Sequence, residues 1–148
     1  SFARAEASPG FISGLAAFAT SWYPPVGLLG NLILDADGRL DLKRHGLLPI
    51  VTAARTLALK HGIRPTGTLA RLQEVKARGL ADGGIIDRAT SAFMLIQGEV
   101  LRQQFADAHE GVALSARVQV SAMPGRRKRE IKGAMQAINA LIATALNL

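Results

Sequence analysis

Two carboxylates two residues apart, Asp35 and Asp37, are the first candidates for catalysis in this chain. On a strand, positions i and i+2 project from one face, and such a pair can hold the magnesium of a nucleotidyl transfer. That chemistry also needs a Gly-Ser or Gly-Gly upstream, spaced so that a helix cradles the phosphates. Gly30-Asn31 lies too close to Asp35, and no helical pattern follows it. Asp37-Gly38 reads instead as ordinary turn chemistry. No residue is assigned a catalytic role.

Cations are the second source of chemistry. Asp41, Lys43 and Arg44 immediately precede an apolar helical pattern, Arg55 flanks its apolar face, and Arg71 falls early in the next helix. Arginine offers a planar fork suited to phosphate or carboxylate, so these groups could form an anion site beside a helical pair. The alternative is an Asp–Arg structural tie between neighbouring segments. Arg126-Arg127-Lys128-Arg129 is the strongest charge run. It sits in the first turns of the last helix, where the macrodipole disfavours positive charge. It reads as a solvated helix face, with phosphate or an acidic surface as the functional alternative. No aromatic residues interleave with it, which argues against base stacking and nucleic acid.

His45, His61 and His109 show no metal-ligand spacing, and the chain has no cysteine, so neither a metal site nor a disulfide framework is expected. No nucleophile elbow, phosphate loop or dinucleotide fingerprint is present. The net charge of +7 permits nucleotides, nucleic acid or an acidic protein as partners without choosing among them.

The elements that must position these residues are helical. The chain has 148 residues, 49% apolar and 20% charged, with only 5% aromatic. That composition suits one soluble domain built from helices. A first helix is expected over Pro9 to Trp22, with Phe11, Leu15, Phe18 and Trp22 in one stripe. Leu32-Ile33-Leu34 and Arg39 to Leu42 flank the Asp35–Gly38 turn as a short, irregular hairpin. A second helix spans Leu47 to His61, stopped by Gly62, with Ile50, Val51, Ala54, Leu57 and Ala58 buried. A third is capped at Thr66 or Gly67 and runs to Ala77, with Leu69, Leu72 and Val75 apolar. A long helix covers Ile85 to Glu110, with Ile86, Ala89, Phe93, Ile96 and Val100 on one stripe and Leu101, Phe105 and Ala108 on a neighbouring one. Val112 to Val120 alternates like a strand but has no evident partner and reads as an extended connector. The last helix starts near Ser121 or Ala122, with Ile131, Met135, Ile138 and Ile142 inward. The fold class is therefore all-α: an antiparallel four- to five-helix bundle with an irregular insertion after the first helix. Residues 1–148 read as a single helical domain. Because the chain opens on Ser rather than Met, it reads as a C-terminal piece of a larger protein. No apolar run is long enough to span a membrane and no signal peptide opens it, so a cytoplasmic setting is expected.

One block carries a resemblance. Asp41-Leu42-Lys43, Gly46-Leu47-Leu48-Pro49-Ile50-Val51, Ala54-Arg55-x-Leu57-Ala58-Leu59, Gly62-Ile63 and Thr68-Leu69-x-Arg71-Leu72 follow one another. Phe93-Met94-Leu95-Ile96, Leu101-Arg102 and Ile131-Lys132-x-Ala134-Met135-x-Ala137-Ile138 extend the pattern. Together they resemble the C-terminal substrate-binding domain of the bacterial nucleotidyltransferases often joined to CBS-domain pairs and cyclic-nucleotide-binding modules.

The resemblance implies a helical bundle beside an upstream nucleotidyltransferase domain of the same chain. Magnesium and a nucleoside triphosphate would belong to that domain, and none to this fragment. The Gly-Ser and paired-carboxylate signature is missing here, so the fragment alone is expected not to transfer nucleotides. The implied role is to position substrate, and Lys43, Arg44, Arg55, Arg71 and Arg102 are the candidate binding residues. The acceptor, a protein or a small molecule, is not legible. The competing reading is a dimerisation or signal-transduction module, with the long and last helices pairing across a homodimer. Nucleic acid and membrane are not expected partners.

Overall fold

A computed structural model describes Leu32 and residues 34–147. The expected helix over Pro9 to Trp22 lies outside those residues. The Asp35–Gly38 turn forms as its residues dictate: the Asp35 amide donates to the Arg39 carbonyl at 2.9 Å and the Gly38 amide to the Asp35 carbonyl at 2.8 Å. Gly38 has a φ of 75°, a left-handed conformation that glycine adopts without strain.

The strand after this turn, β1 (Arg39–Asp41), corrects the hairpin expectation. It pairs antiparallel with β2 (Arg117–Gln119), with Arg39 opposite Gln119, Leu40 opposite Val118 and Asp41 opposite Arg117. The stretch expected to be only a connector is thus a strand from Arg117 to Gln119. The alternating pattern explains the pairing: Leu40 and Val118 are both buried, while the flanking positions carry the polar and charged side chains.

Chain entry into the bundle is set by Asp41. Its Oδ1 accepts from the amides of Lys43 (3.1 Å) and Arg44 (3.0 Å), satisfying donors at the open start of a helical segment. A π-helical turn (Lys43–Leu47) leads directly into α1 (Leu48–His61), so the helical run starts earlier than the sequence suggests. Pro49 is tolerated near the start of α1, and Gly62, left-handed at φ 66°, ends it. α2 (Thr68–Ala77) follows with Gly67 as its N-cap. Leu72 and Val75 are buried as expected, whereas Leu69 faces solvent.

The long helix α3 (Gly83–Glu110) begins where the Asp82 carboxylate accepts from the Ile85 amide at 3.0 Å. A 3-10 turn (Val120–Ala122) then leads to α4 (Gly125–Leu146). Ile131, Met135, Ile138 and Ile142 are fully buried and meet Ile86, Ala89, Ile96, Ile50 and Leu57 in one core. Arg127, near the start of α4, meets Glu99 in the second half of α3, so these two helices run antiparallel. The all-α bundle is as the pattern implied, with one small sheet added.

The second apolar stripe of α3 is corrected. Leu101 is 55% and Phe105 76% exposed, and Ala108 is also exposed. α4 begins level with Glu99, so the last three turns of α3 extend past the start of their partner helix. Asp107 is the buried residue of that extension, its carboxylate accepting from the Ser115 amide and the Gln103 side chain, each at 2.8 Å. The Asp107 carboxylate thereby ties the returning chain to the helix.

Candidate functional site

Arg55 is the exposed position in an otherwise buried stretch of α1, where Thr52, Ala53, Ala54, Thr56, Leu57, Ala58 and Leu59 are all buried. A guanidinium carried there stands on rigid scaffold. Arg71 lies one turn into α2, and its Nε donates to the Pro65 carbonyl of the α1–α2 loop at 3.0 Å. Partial burial, and then the charge of Arg55, lower the Arg71 pKa from its ordinary value. The charge of Arg55 on α1 is thus felt at Arg71 on α2. Among the described residues neither meets a carboxylate in an ion pair. Two like charges that feel one another without a counter-ion are relieved by an anion, and two guanidinium forks suit a phosphate or carboxylate.

The other candidate cations lie elsewhere. Lys43 and Arg44 sit at the entry to the helical run, their amides held by Asp41. Twelve positions separate Lys43 from Arg55, about 18 Å along a helix axis. Arg102, on α3, lines a recess with Glu99, Gln103, Gln119, Met123 and Arg127. Arg55 and Arg71 thus stand on successive helices, Lys43 and Arg44 at the entry to α1, and Arg102 on α3.

Asp35 and Asp37 are occupied by structural work. Arg117 Nη2 donates to Asp35 Oδ2 at 2.7 Å and to Asp37 Oδ2 at 3.4 Å. The hydrogen bond from Asp35, and then the charge of Asp37, raise the Arg117 pKa. Arg117 thus ties the Asp35–Gly38 turn to β2, a different contact from the Asp–Arg tie weighed for Asp41 and the helical pair. Two buried residues gave no sequence signal: Glu99, inside the long apolar pattern, and Asp107 beyond it.

His61 has a buried Nε2 without a hydrogen-bond partner. Burial, and then the charge of Lys60, lower its pKa. Protonating this imidazole is therefore less favourable in the folded chain than in the unfolded one, where it titrates near pH 6.5. Its contribution is therefore constant at higher pH and is lost as pH falls below about 6.5. Urea midpoints should drop between pH 7 and pH 5, and His61→Gln should lessen that drop. An equal drop in the variant would assign the pH dependence to other groups.

Comparison with known families follows this geometry. The model of the family described as Putative nucleotidyltransferase substrate binding domain matches residues 9–145. The chain belongs to that family. No curated protein and no solved structure matches it. Arg55 and Arg71 both lie within the matched residues. No helix of the described residues is long and apolar enough to cross a membrane.

Proposed function

We propose that this chain positions an anionic substrate for an adjoining nucleotidyltransferase domain and does not transfer the nucleotide itself. The carrying observation is that Arg55 and Arg71, on the successive helices α1 and α2, meet no carboxylate in an ion pair among the described residues, while the charge of Arg55 is felt at Arg71. Family membership supplies the reaction beside which the pair would act.

The mechanism is orientation. α1 fixes Arg55, and the Pro65 carbonyl fixes Arg71. A phosphate or carboxylate gripped by both would be held in one geometry before reaction, which removes the entropy of aligning it. Among the described residues no three His, Cys, Asp or Glu side chains gather as metal ligands. The reading assigns magnesium and the nucleoside triphosphate to the adjoining catalytic domain and implies a cytoplasmic protein.

The test uses the full-length protein with labelled nucleoside triphosphates and a cell extract, with this chain alone as control. Label should reach an acceptor only with the full-length protein. In that protein Arg55→Ala/Arg71→Ala should lower kcat/KM by about 100-fold, from roughly 1.5 kcal/mol or more per charged hydrogen bond. Arg55 is exposed and Arg71, half-buried, gives up one hydrogen bond to the Pro65 carbonyl, so the thermal midpoint should move by only a few degrees. Unchanged transfer in the double variant would reject the assignment.

A further inference from the structure

The basic run at the start of α4 is divided by the fold. Arg126 pairs with Glu130 one turn on, at 3.2 Å. Arg127 crosses to Glu99 on α3, with Nε also 3.3 Å from Glu99 Oε1. Lys128 and Arg129 have no such ion pair among the described residues, and neither does Lys132. These three cations line a single cleft of about 230 Å³, whose remaining walls are Leu32, Leu34 and Val120. Sequence reading stopped at the contiguous run and missed Lys132, which lies one turn beyond Lys128.

Three features of this cleft favour a multiply charged anion. Positions 128, 129 and 132 share one side of α4, with Lys128 and Lys132 about 6 Å apart along the axis. Arg129 turns back toward the helix start, since a Cβ on Gly125 would lie 3.4 Å from its Nη1. Lys128 and Arg129 lie in the first two turns of a 22-residue helix whose N-cap residue, Pro124, makes no side-chain cap hydrogen bond, so the positive end of the macrodipole adds to their charge. Lys128 and Lys132 are half-buried beside aliphatic walls, which weakens solvent screening of their charge. Cations concentrated where the macrodipole already disfavours them are explained by a ligand that offsets both.

We propose that Lys128, Arg129 and Lys132 form a binding site for an oligophosphate chain, either inorganic or the phosphate tail of a nucleotide. The volume is below the roughly 300–1,000 Å³ of sites that enclose a whole drug-sized ligand. It fits the phosphates, with any nucleoside left outside or laid along Leu32 and Leu34. This site is distinct from the Arg55–Arg71 pair and stands without the substrate-positioning reading.

Titration calorimetry on the 148-residue chain, at low salt and without a catalytic domain, separates the two. Tripolyphosphate and a nucleoside triphosphate are titrated in parallel. Both should bind, weaken as salt screens the charges, and lose at least tenfold in affinity in Lys128→Gln/Arg129→Gln/Lys132→Gln. Arg78→Gln, which removes an exposed cation at the end of α2 that pairs with Glu74 and does not line the cleft, should leave the affinity within twofold. Tighter nucleotide than tripolyphosphate would identify the nucleotide as the source, and equal affinity the bare phosphate chain. Lys132→Gln alone, which leaves the helix start intact, should already weaken binding several-fold. Absence of binding by the unaltered chain, or affinity unchanged in the triple variant, would overturn the proposal. So would loss confined to Arg55→Ala/Arg71→Ala.

Discussion

Arg127→Met should cost about 3 kcal/mol of folding stability, the low end for breaking a buried ion pair. The Glu99 side chain is only 8% exposed and Arg127 28%. Removing the arginine strands a carboxylate between α3 and α4, and its desolvation is then uncompensated. The hydrogen bond that Arg127 donates to Glu99, ahead of all other contributions, raises the Arg127 pKa, so the arginine stays charged across the whole accessible range. The control decides the mechanism. Glu99→Leu/Arg127→Met removes both charges and keeps most of the volume, so it should recover most of the lost stability. Urea denaturation of the two single variants and the double variant gives the coupling energy directly. A double variant as unstable as the sum of the singles would mean that the pair acts through packing of the arginine stem.

Gly46 is the second position where a small change should have a large effect. It is buried in the π-helical turn, and an added Cβ would lie 2.9 Å from Ile96 Cγ2 and 3.6 Å from Met135 Cε. An alanine in an open helix would stabilise by up to about 1 kcal/mol relative to glycine. Here the close contact reverses the sign, and Gly46→Ala should cost about 2 kcal/mol by overpacking. Gly46→Val should cost more. In an Ile96→Ala background the clashing Cγ2 is gone, and Gly46→Ala should become neutral or stabilising as it partly fills the space. Thermal midpoints of the two singles and the double measure that reversal. Simple additivity would show that backbone conformation, rather than the approach of Ile96, demands glycine at this position.

Helical periodicity revealed most of the bundle because a buried stripe must recur every three or four residues. Ile131, Met135, Ile138 and Ile142 show this, as do the left-handed stops at Gly62 and Gly111. The same rule misled at Leu101 and Phe105, where the spacing continues although the partner helix has ended. Periodicity reports a face, and only tertiary placement decides whether that face is covered. The β1–β2 pair was illegible for a different reason: two three-residue strands carry little local signal, and their register depends on segments far apart in sequence. For the candidate sites, Arg55 and Arg71 were legible as cations on adjacent helices. That the charge of Arg55 is felt at Arg71 needed the folded chain. Lys128, Arg129 and Lys132 needed the ion pairs of Arg126 and Arg127 to be known, because only subtraction shows which charges are left over.

The pairing of β1 with β2 bears on how the chain folds. Arg39 and Gln119 meet across 80 residues, whereas the helices make many of their contacts with sequence neighbours. Closing so long a loop carries an entropic cost that few hydrogen bonds can offset until the helices between the strands are in place. The strand pair is therefore a late event, a latch set after α1 to α4 have condensed. Leu34 and Val120, which wall the cationic cleft, both lie beyond the Arg39–Gln119 end of that latch. The cleft is thus completed only in the last step of folding, so a ligand bound there would stabilise the latched state over partly opened ones.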